Sequence, residues 1–368
     1  MRRREFLVAA AGLASCSSQS LAPEPGRLVP RFLAGREAVF ASDPGKAAAA
    51  WFREARTGLL LQYGVYSQTG RGPDVQFRER IPLADYGRLG ATFDPSRFSA
   101  DRITEIAARS GIGYVGLPAR HADGFCLFRT IESDFNSLEC SGRDLVGELD
   151  AACRQKALGL FLSYSYAADW RHPYFFPAET SRSDWRGSRP PYRVPPDEYR
   201  FRQDEDFLRY IRYAHTQLQE IAYRYEAVAG IWLEPLAGYH ARPDLFPVGQ
   251  TYAILREARP GILIGFGRGA SGDEDFVSDI GAGPPRLSGR TQPTPVPPAA
   301  KPVETCRDLS APHGAEANPL AGPEILGLAK RSAARGANLL LRASLEPDGS
   351  LRAADERSLL EFARLRRA

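Results

Sequence analysis

From Lys46 onward the chain alternates short apolar runs with stretches whose apolar positions recur every three to four residues. Gly58–Tyr63, Tyr114–Pro118, Leu158–Tyr164, Val228–Leu233, Ile262–Phe266 and Ala337–Leu341 have the length and content of buried strands. Helical spacing falls between them, over about Ser99–Ser110, Asp144–Lys156 and Asp204–Tyr223, and again over about Ala353–Arg366. In the third of these, Phe207, Ile211, Ala214, Leu218 and Ile221 lie on one face, and acids crowd the N-terminal end, where the helix dipole is positive. Strand and helix in strict alternation are the signature of repeated β/α units. The proline-rich stretches Gly187–Pro196 and Pro284–Pro302 cannot be central strands and read as long loops. One α/β barrel of the (β/α)8 TIM type, spanning 46–368, accounts for this order better than two domains, and no strand-rich segment follows the last helix.

The first 45 residues have a different pattern. Arg2-Arg3-Arg4 precedes an apolar run, Leu7–Ala14, that is too short to span a bilayer. The run ends in Leu13-Ala14-Ser15-Cys16, similar to the lipobox of bacterial lipoproteins, in which the cysteine is lipidated and becomes the new terminus. Residues 1–16 are therefore expected to be a twin-arginine-like lipoprotein signal. Residues 17–45, rich in Ser, Pro, Gly and Ala without a period, are expected to be a flexible tether. The protein would then be exported and membrane-anchored, in the periplasm or at the cell surface, touching the membrane only through the lipid on Cys16. Without the arginine segment the formal charge of +4 falls to about +2, and no Lys/Arg face is clustered, which disfavours nucleic-acid binding. Cys126, Cys140, Cys153 and Cys306 match no zinc spacing and read as free thiols, although an oxidising compartment would also permit a disulfide.

In barrels of this class the chemistry sits where strands end. Those positions hold Gln62 and Tyr63, then Arg120-His121-Ala122-Asp123, then Tyr164, Glu234 and Arg268. A His, Tyr or Arg at such a place is as often a structural hydrogen-bonder as a ligand contact. Glu234 differs, because an acid directly after a six-residue apolar strand is not accounted for by packing. The competing reading for it is an ion pair with an arginine at the barrel mouth. Hydrolysis of a glycoside needs two carboxyls, one as nucleophile or base and one as proton donor. Glu234 can be one of them. For the other no carboxylate stands at a comparable strand end; Asp273, Glu274, Asp275 and Asp279 lie on the loop after Ile262–Phe266, although an acidic loop is most often simply solvated. Tyr63, Tyr164, Trp170 and Trp232 suit either sugar stacking or a core.

These residues resemble the α-L-fucosidases of glycoside hydrolase family 29. The resemblance rests on Trp51-Phe-Arg-Glu-Ala-Arg-Thr-Gly58, Glu79-Arg-Ile-Pro-Leu-Ala-Asp-Tyr86, Phe93-Asp-Pro-Ser-Arg-Phe98, Arg120-His-Ala-Asp-Gly-Phe125 and Arg143-Asp-Leu-Val146. It continues in Tyr164-Ser165 with Asp169-Trp170, Gly230-Ile-Trp-Leu-Glu234, Glu304-Thr-Cys306, and Asn338-Leu-Leu-Leu341 with Pro347-Asp-Gly349. The motifs come in the family's order and cover nearly all of residues 46–352. Such enzymes are retaining exo-glycosidases that remove terminal α-L-fucose through a sugar–aspartate intermediate, with no metal or other cofactor. Many carry a C-terminal β-sandwich, which this chain is expected to lack.

The resemblance implies a sugar-binding set of Gln62, Tyr63, Asp85, His121, Tyr164, Trp232 and Arg268, with Tyr164, Trp232 and Arg268 as in the family. The departures bear on chemistry. Glu234 stands where the family has its nucleophilic aspartate, Gln62-Tyr63 replaces His-Trp, and Ala122 replaces the second of two histidines. Asp85 stands for a glutamate, Val303 for a tryptophan, Arg342 for an asparagine, and Gly283 falls at the proton donor's place. The expectation is a divergent exo-glycosidase for α-L-fucosides or a related sugar, with Glu234 as nucleophile and an acid from Asp279 or Glu274. The alternative is a non-catalytic carbohydrate-binding lipoprotein.

Overall fold

In a computed structural model, residues 29–177, 189–193, 196–280, 301–310 and 318–367 are described. Eight strands run parallel: β1 (Thr57–Gln62), β2 (Tyr114–Arg120), β3 (Gly159–Ser165), β4 (Val228–Glu234), β5 (Leu263–Phe266), β6 (Val277–Ser278), β7 (Val303–Asp308) and β8 (Ala337–Ser344). Their order is β5-β4-β3-β2-β1-β8-β7-β6, and a single bridge, Gly265 to Phe276, brings the two outer strands together. The result is a nearly closed (β/α)8 barrel. All six apolar runs in the sequence are strands. The two strands the runs do not show are β6, only two residues long, and β7, whose Val-Glu-Thr-Cys-Arg-Asp carries no apolar pattern.

Side chains alternate along each strand, so each strand serves two layers. Leu59, Leu61, Val115, Leu117, Leu160, Leu162, Ile231, Leu233, Leu339 and Leu341 face outward into the helix-covered core. Leu60, Tyr114, Phe161, Trp232, Leu263 and Leu340 fill the lumen. The helices begin where caps allow. Ser99 accepts from the amide of Arg102 at 3.2 Å to start Ala100–Arg109, and Asp144 accepts from Gly147 at 2.9 Å to start Leu145–Lys156. The longest helix, Phe207–Arg224, buries Phe207, Ile211, Ala214, Leu218 and Ile221, the stripe read from the sequence. The last helix, Ala353–Arg367, lies against Ala100–Arg109 and bonds it through Ser110 to the carbonyl of Leu359 at 3.0 Å. Among the described residues no helix is long and apolar enough to cross a membrane, and Cys126, Cys140, Cys153 and Cys306 are free thiols.

The expected tether is corrected for residues 29–45. Phe32 and Leu33 are buried, and helices Glu37–Ser42 and Pro44–Ala55 follow directly. Phe32 packs on Trp51 with ring centroids 4.6 Å apart, and Phe52 sits 4.9 Å from Phe276. The lumen aromatics would otherwise meet water at the N-terminal end of the barrel, and this segment covers them. The folded body thus begins ahead of residue 46. Residues 17–28 and Cys16 lie outside the described residues.

Candidate active site

Glu234 is the last residue of β4. Trp232 points into the lumen and Leu233 away from it, so the alternation turns Glu234 inward at the C-terminal mouth. It is half-buried, its carbonyl accepts from Ala167 at 3.0 Å, and its charge acts on His121, Tyr66 and Arg342. His121 and Glu234 therefore share one mouth, as parallel strands require.

The His121 ring lies between Tyr66, 5.2 Å away, and the edge of Trp170, 5.8 Å away. Its Nδ1 is 3.7 Å from Asp123 Oδ2, an electrostatic contact too long to be a hydrogen bond. Burial opposes charge on this ring, but Asp123, Asp74 and Glu234 outweigh it and raise the pKa. The ring thus favours donating to an oxygen-rich ligand. Asp123 is fixed by Tyr86 Oη at 2.7 Å and the amide of Phe125 at 2.9 Å.

Gln62 ends β1 half-buried, opposite Ser344 of β8. Arg342 stands one inward position below Ser344, facing the lumen above Leu340, with Nε 2.5 Å from Asp308 Oδ1. Burial works against its charge, but Asp308, Cys306 and Glu234 more than restore it. This is a cation where the family resemblance expects a neutral asparagine. Arg268 follows β5, exposed between Gly267 and Gly269, whose φ values of +53° and +115° suit glycine.

Three expected sugar contacts are placed elsewhere, and a fourth is covered. Tyr63 is fully buried against Phe93 and Phe98, and its hydroxyl donates to the carbonyl of Pro347 at 2.9 Å. Tyr164 faces the helices: its hydroxyl donates to Gln217 at 2.9 Å, and the Arg120 guanidinium lies 4.4 Å over its ring. Asp85 is exposed on the short helix Leu83–Gly87, where its carboxylate pairs with Arg88 three residues on. The carboxylate whose charge reaches His121 from the loop after β1 is Asp74. Trp232 does face inward but is fully buried below the mouth, packed on Phe161 at 4.9 Å, so no sugar can stack on it.

The two candidate proton donors also separate. Glu274 is buried and accepts from Tyr252 Oη at 2.7 Å and from the amides of Ala270, Ser271 and Gly272 at 2.8, 3.0 and 3.1 Å. Burial pushes its pKa up, but these donors carry it below the usual carboxylate value. It is an ionised clasp for its own loop, which corrects its reading as an acid. Asp279 directly follows β6, which makes it a second strand-end carboxylate. Its Oδ1 accepts from the amide of Cys306, and its Oδ2 lies 3.5 Å from Arg307 Nη1. Gly283 lies outside the described residues.

One buried group was not singled out from the sequence beyond its motif. Glu304, on β7, accepts from Tyr114 Oη at 2.6 Å on Oε1, and from Trp232 Nε1 at 2.9 Å and Ser278 Oγ at 2.6 Å on Oε2. Burial pushes its pKa up to about 7 against the pull of these three donors, and Asp279 adds to the rise. The missing signal was β7 itself. Beside the mouth, a cavity of about 730 Å³ opens between the loops after β2 and β3, with Gly124, Asp134, Asp169, Arg171, His172 and Tyr213 on its walls.

The alpha-L-fucosidase family model matches residues 37–365. Human plasma alpha-L-fucosidase is 30% identical over 150 residues, covering 36% of this chain and 32% of its own. An alpha-L-fucosidase of Dictyostelium discoideum is 26% identical over 183 residues, covering 43% of this chain and 38% of its own. The chain thus spans about a third of the length of the curated relatives it matches. Among solved structures, an alpha-L-fucosidase from Lactobacillus casei in complex with alpha-L-fucose product superposes with a TM-score of 0.71 at 25% identity, over 86% of this chain and 98% of that one. Isoenzyme 1 from Paenibacillus thiaminolyticus gives 0.72 at 25% identity, over 88% and 76%. The family match begins on the helices beneath β1 and ends on the helix after β8, enclosing the barrel and both strand-end carboxylates, so the chain belongs to the alpha-L-fucosidase family.

Proposed function

We propose that the protein is a retaining exo-glycosidase that hydrolyses terminal α-L-fucosides, with Glu234 as nucleophile and Asp279 as acid and base. The observation that carries this reading is Glu234 itself, an inward carboxylate at the C-terminal end of β4 whose charge acts on His121 and Arg342, in a chain of this family. In the first step a Glu234 carboxylate oxygen attacks the anomeric carbon and the glycosidic C–O bond breaks. Protonated Asp279 gives its proton to the departing oxygen. In the second, ionised Asp279 takes a proton from water, the hydroxide joins the anomeric carbon, and the bond to Glu234 breaks. His121 donates to a sugar hydroxyl, and Gln62 and Arg268 line the same rim.

Asp279 is a poorly placed acid, since one oxygen serves the Cys306 amide and the other is engaged by Arg307. Activity should therefore depend steeply on the leaving group. Aryl α-L-fucosides with acidic phenols should turn over much faster than natural glycans, and Asp279→Asn should cost ~10²–10⁴-fold in kcat/KM on the latter while sparing kcat/KM on the former, whose kcat falls instead because deglycosylation loses its base. Glu234→Gln should reduce every rate to below about a thousandth. Equal rates on activated and natural substrates, or an active Glu234→Gln, would contradict this reading. The binding-only alternative draws on the same imperfect acid. It would be established by no turnover of either substrate together with fucose binding that His121→Ala abolishes.

Export is the second part of the proposal. Arg2-Arg3-Arg4, the run Leu7–Ala14 and Leu13-Ala14-Ser15-Cys16 support a lipid-anchored protein in the periplasm or at the cell surface. Intact-mass analysis from the native host should show Cys16 as a lipidated first residue. An unmodified Met1 terminus would refute it.

A further inference from the structure

The two proposed catalytic carboxylates stand on either side of the least-paired part of the barrel. Glu234 ends β4, one residue past the last β4–β5 pair, Leu233 with Phe266. Asp279 follows β6, which among the described residues has two pairs to β7 and, towards β5, the Gly265–Phe276 bridge flanked by the amides of Asp275 and Ser278 donating to the carbonyls of Ile264 and Gly267, each at 2.8 Å. The seam between β5 and β6 thus carries fewer ladder pairs than the other strand neighbours, and a retaining glycosidase needs its carboxyls about 5–5.5 Å apart. Glu304 supplies a tie inside the lumen. A single oxygen, Oε2, accepts from Trp232 Nε1 at 2.9 Å and Ser278 Oγ at 2.6 Å. Trp232 lies two residues before Glu234, and Ser278 one before Asp279. The other oxygen is held by Tyr114 from β2 at 2.6 Å. Burying a carboxylate is costly, and an apolar side chain of similar volume would fill the lumen at no such cost. What the carboxylate adds is direction, a fixed link between two strands. It lies beneath the fully buried Trp232 and out of reach of a sugar.

We propose that Glu304 is a positioning residue for the hydrolysis, tying β4 to β6 across the seam and so setting the distance between Glu234 and Asp279. The proposal rests on the functional reading above. Its test is a set of variants assayed on aryl α-L-fucosides of graded leaving-group acidity, with thermal melting as the folding control. In Glu304→Gln the amide oxygen still accepts from Trp232 and Ser278 while the amide nitrogen donates to the Tyr114 hydroxyl, so kcat should stay within about threefold of wild type. Glu304→Leu should lower kcat by about a hundredfold, the typical cost of a misplacement near 1 Å, with KM little changed because the mouth residues remain. Should that variant not fold, Ser278→Ala isolates one arm of the tie. Its loss should appear in kcat/KM on poor leaving groups and vanish there on the most acidic phenol, because kcat/KM reports the attack of Glu234 and only Asp279 is displaced. Trp232→Phe should slow all substrates alike, because Glu234 attacks in every case. A merely structural role would leave the leaving-group slope of folded Ser278→Ala at the wild-type value, and that result would overturn the proposal, as would a folded Glu304→Leu of wild-type kcat. Wild-type protein inactive on the most activated fucoside would instead remove the functional reading itself.

Discussion

Tyr164 spends its hydroxyl on Gln217 of the helix Phe207–Arg224, and the strand that carries it explains why. The β2–β3 pairing shifts register between Pro118 and Arg120, so Arg120 comes to oppose Tyr164 and covers its ring from the outer side. A one-residue shift exchanges the faces of a strand. Tyr164 itself keeps the outer face of Leu160 and Leu162, and the bulge in β2 brings Arg120 to that face, a partner that the position of Tyr164 at a strand end does not announce. Tyr164→Phe should therefore act on stability alone. It leaves the Gln217 oxygen buried without its donor, a loss of about 1–3 kcal/mol, while kcat/KM on an aryl fucoside should be unchanged. Melting and kinetics on the same preparation check this. A large loss of turnover at an unaltered melting midpoint would place Tyr164 in the site after all.

The element beneath the barrel carries a similar lesson. Residues 29–45 look like tether, because Phe32 and Leu33 are flanked by Pro, Arg, Ala and Gly and set up no period. Their partners, Trp51, Phe161 and Phe276, come together only when the strands close. Such long-range burial cannot be read from local pattern, and the same is true of β6 and β7. β6 is too short to show alternation, and β7 is a barrel strand with polar groups inside, Glu304 among them, so it has no apolar run. Phe32→Ala should cost about 3–5 kcal/mol, the usual range for a buried phenylalanine. Chemical denaturation should show it as a lower midpoint with an unchanged slope. A midpoint equal to that of the wild type would mean that the segment does not cover the barrel floor.

At the scale of the molecule, repeated β/α order suffices to predict a barrel, and a barrel of parallel strands gathers all its strand ends on one face. That is why Glu234, His121 and Gln62 could be brought to one mouth from residues far apart in sequence. The proposed proton donor is harder to see, because Asp279 directly follows the shortest strand and looks like one acid among the four of its loop. Glu274, its neighbour in that loop, differs only in being caught by three amides and a tyrosine, which no sequence pattern announces. The central claim is that Glu234 bonds covalently to the sugar. A 2-fluoro-α-L-fucosyl fluoride tests it most directly, because fluoride departs without an acid and the ring fluorine slows release of the intermediate. After incubation and proteolysis, mass spectrometry should find one fluorinated sugar, attached to the peptide that contains Glu234. Hydrolysis without an adduct on that peptide, or an adduct on any other carboxylate, would contradict the account.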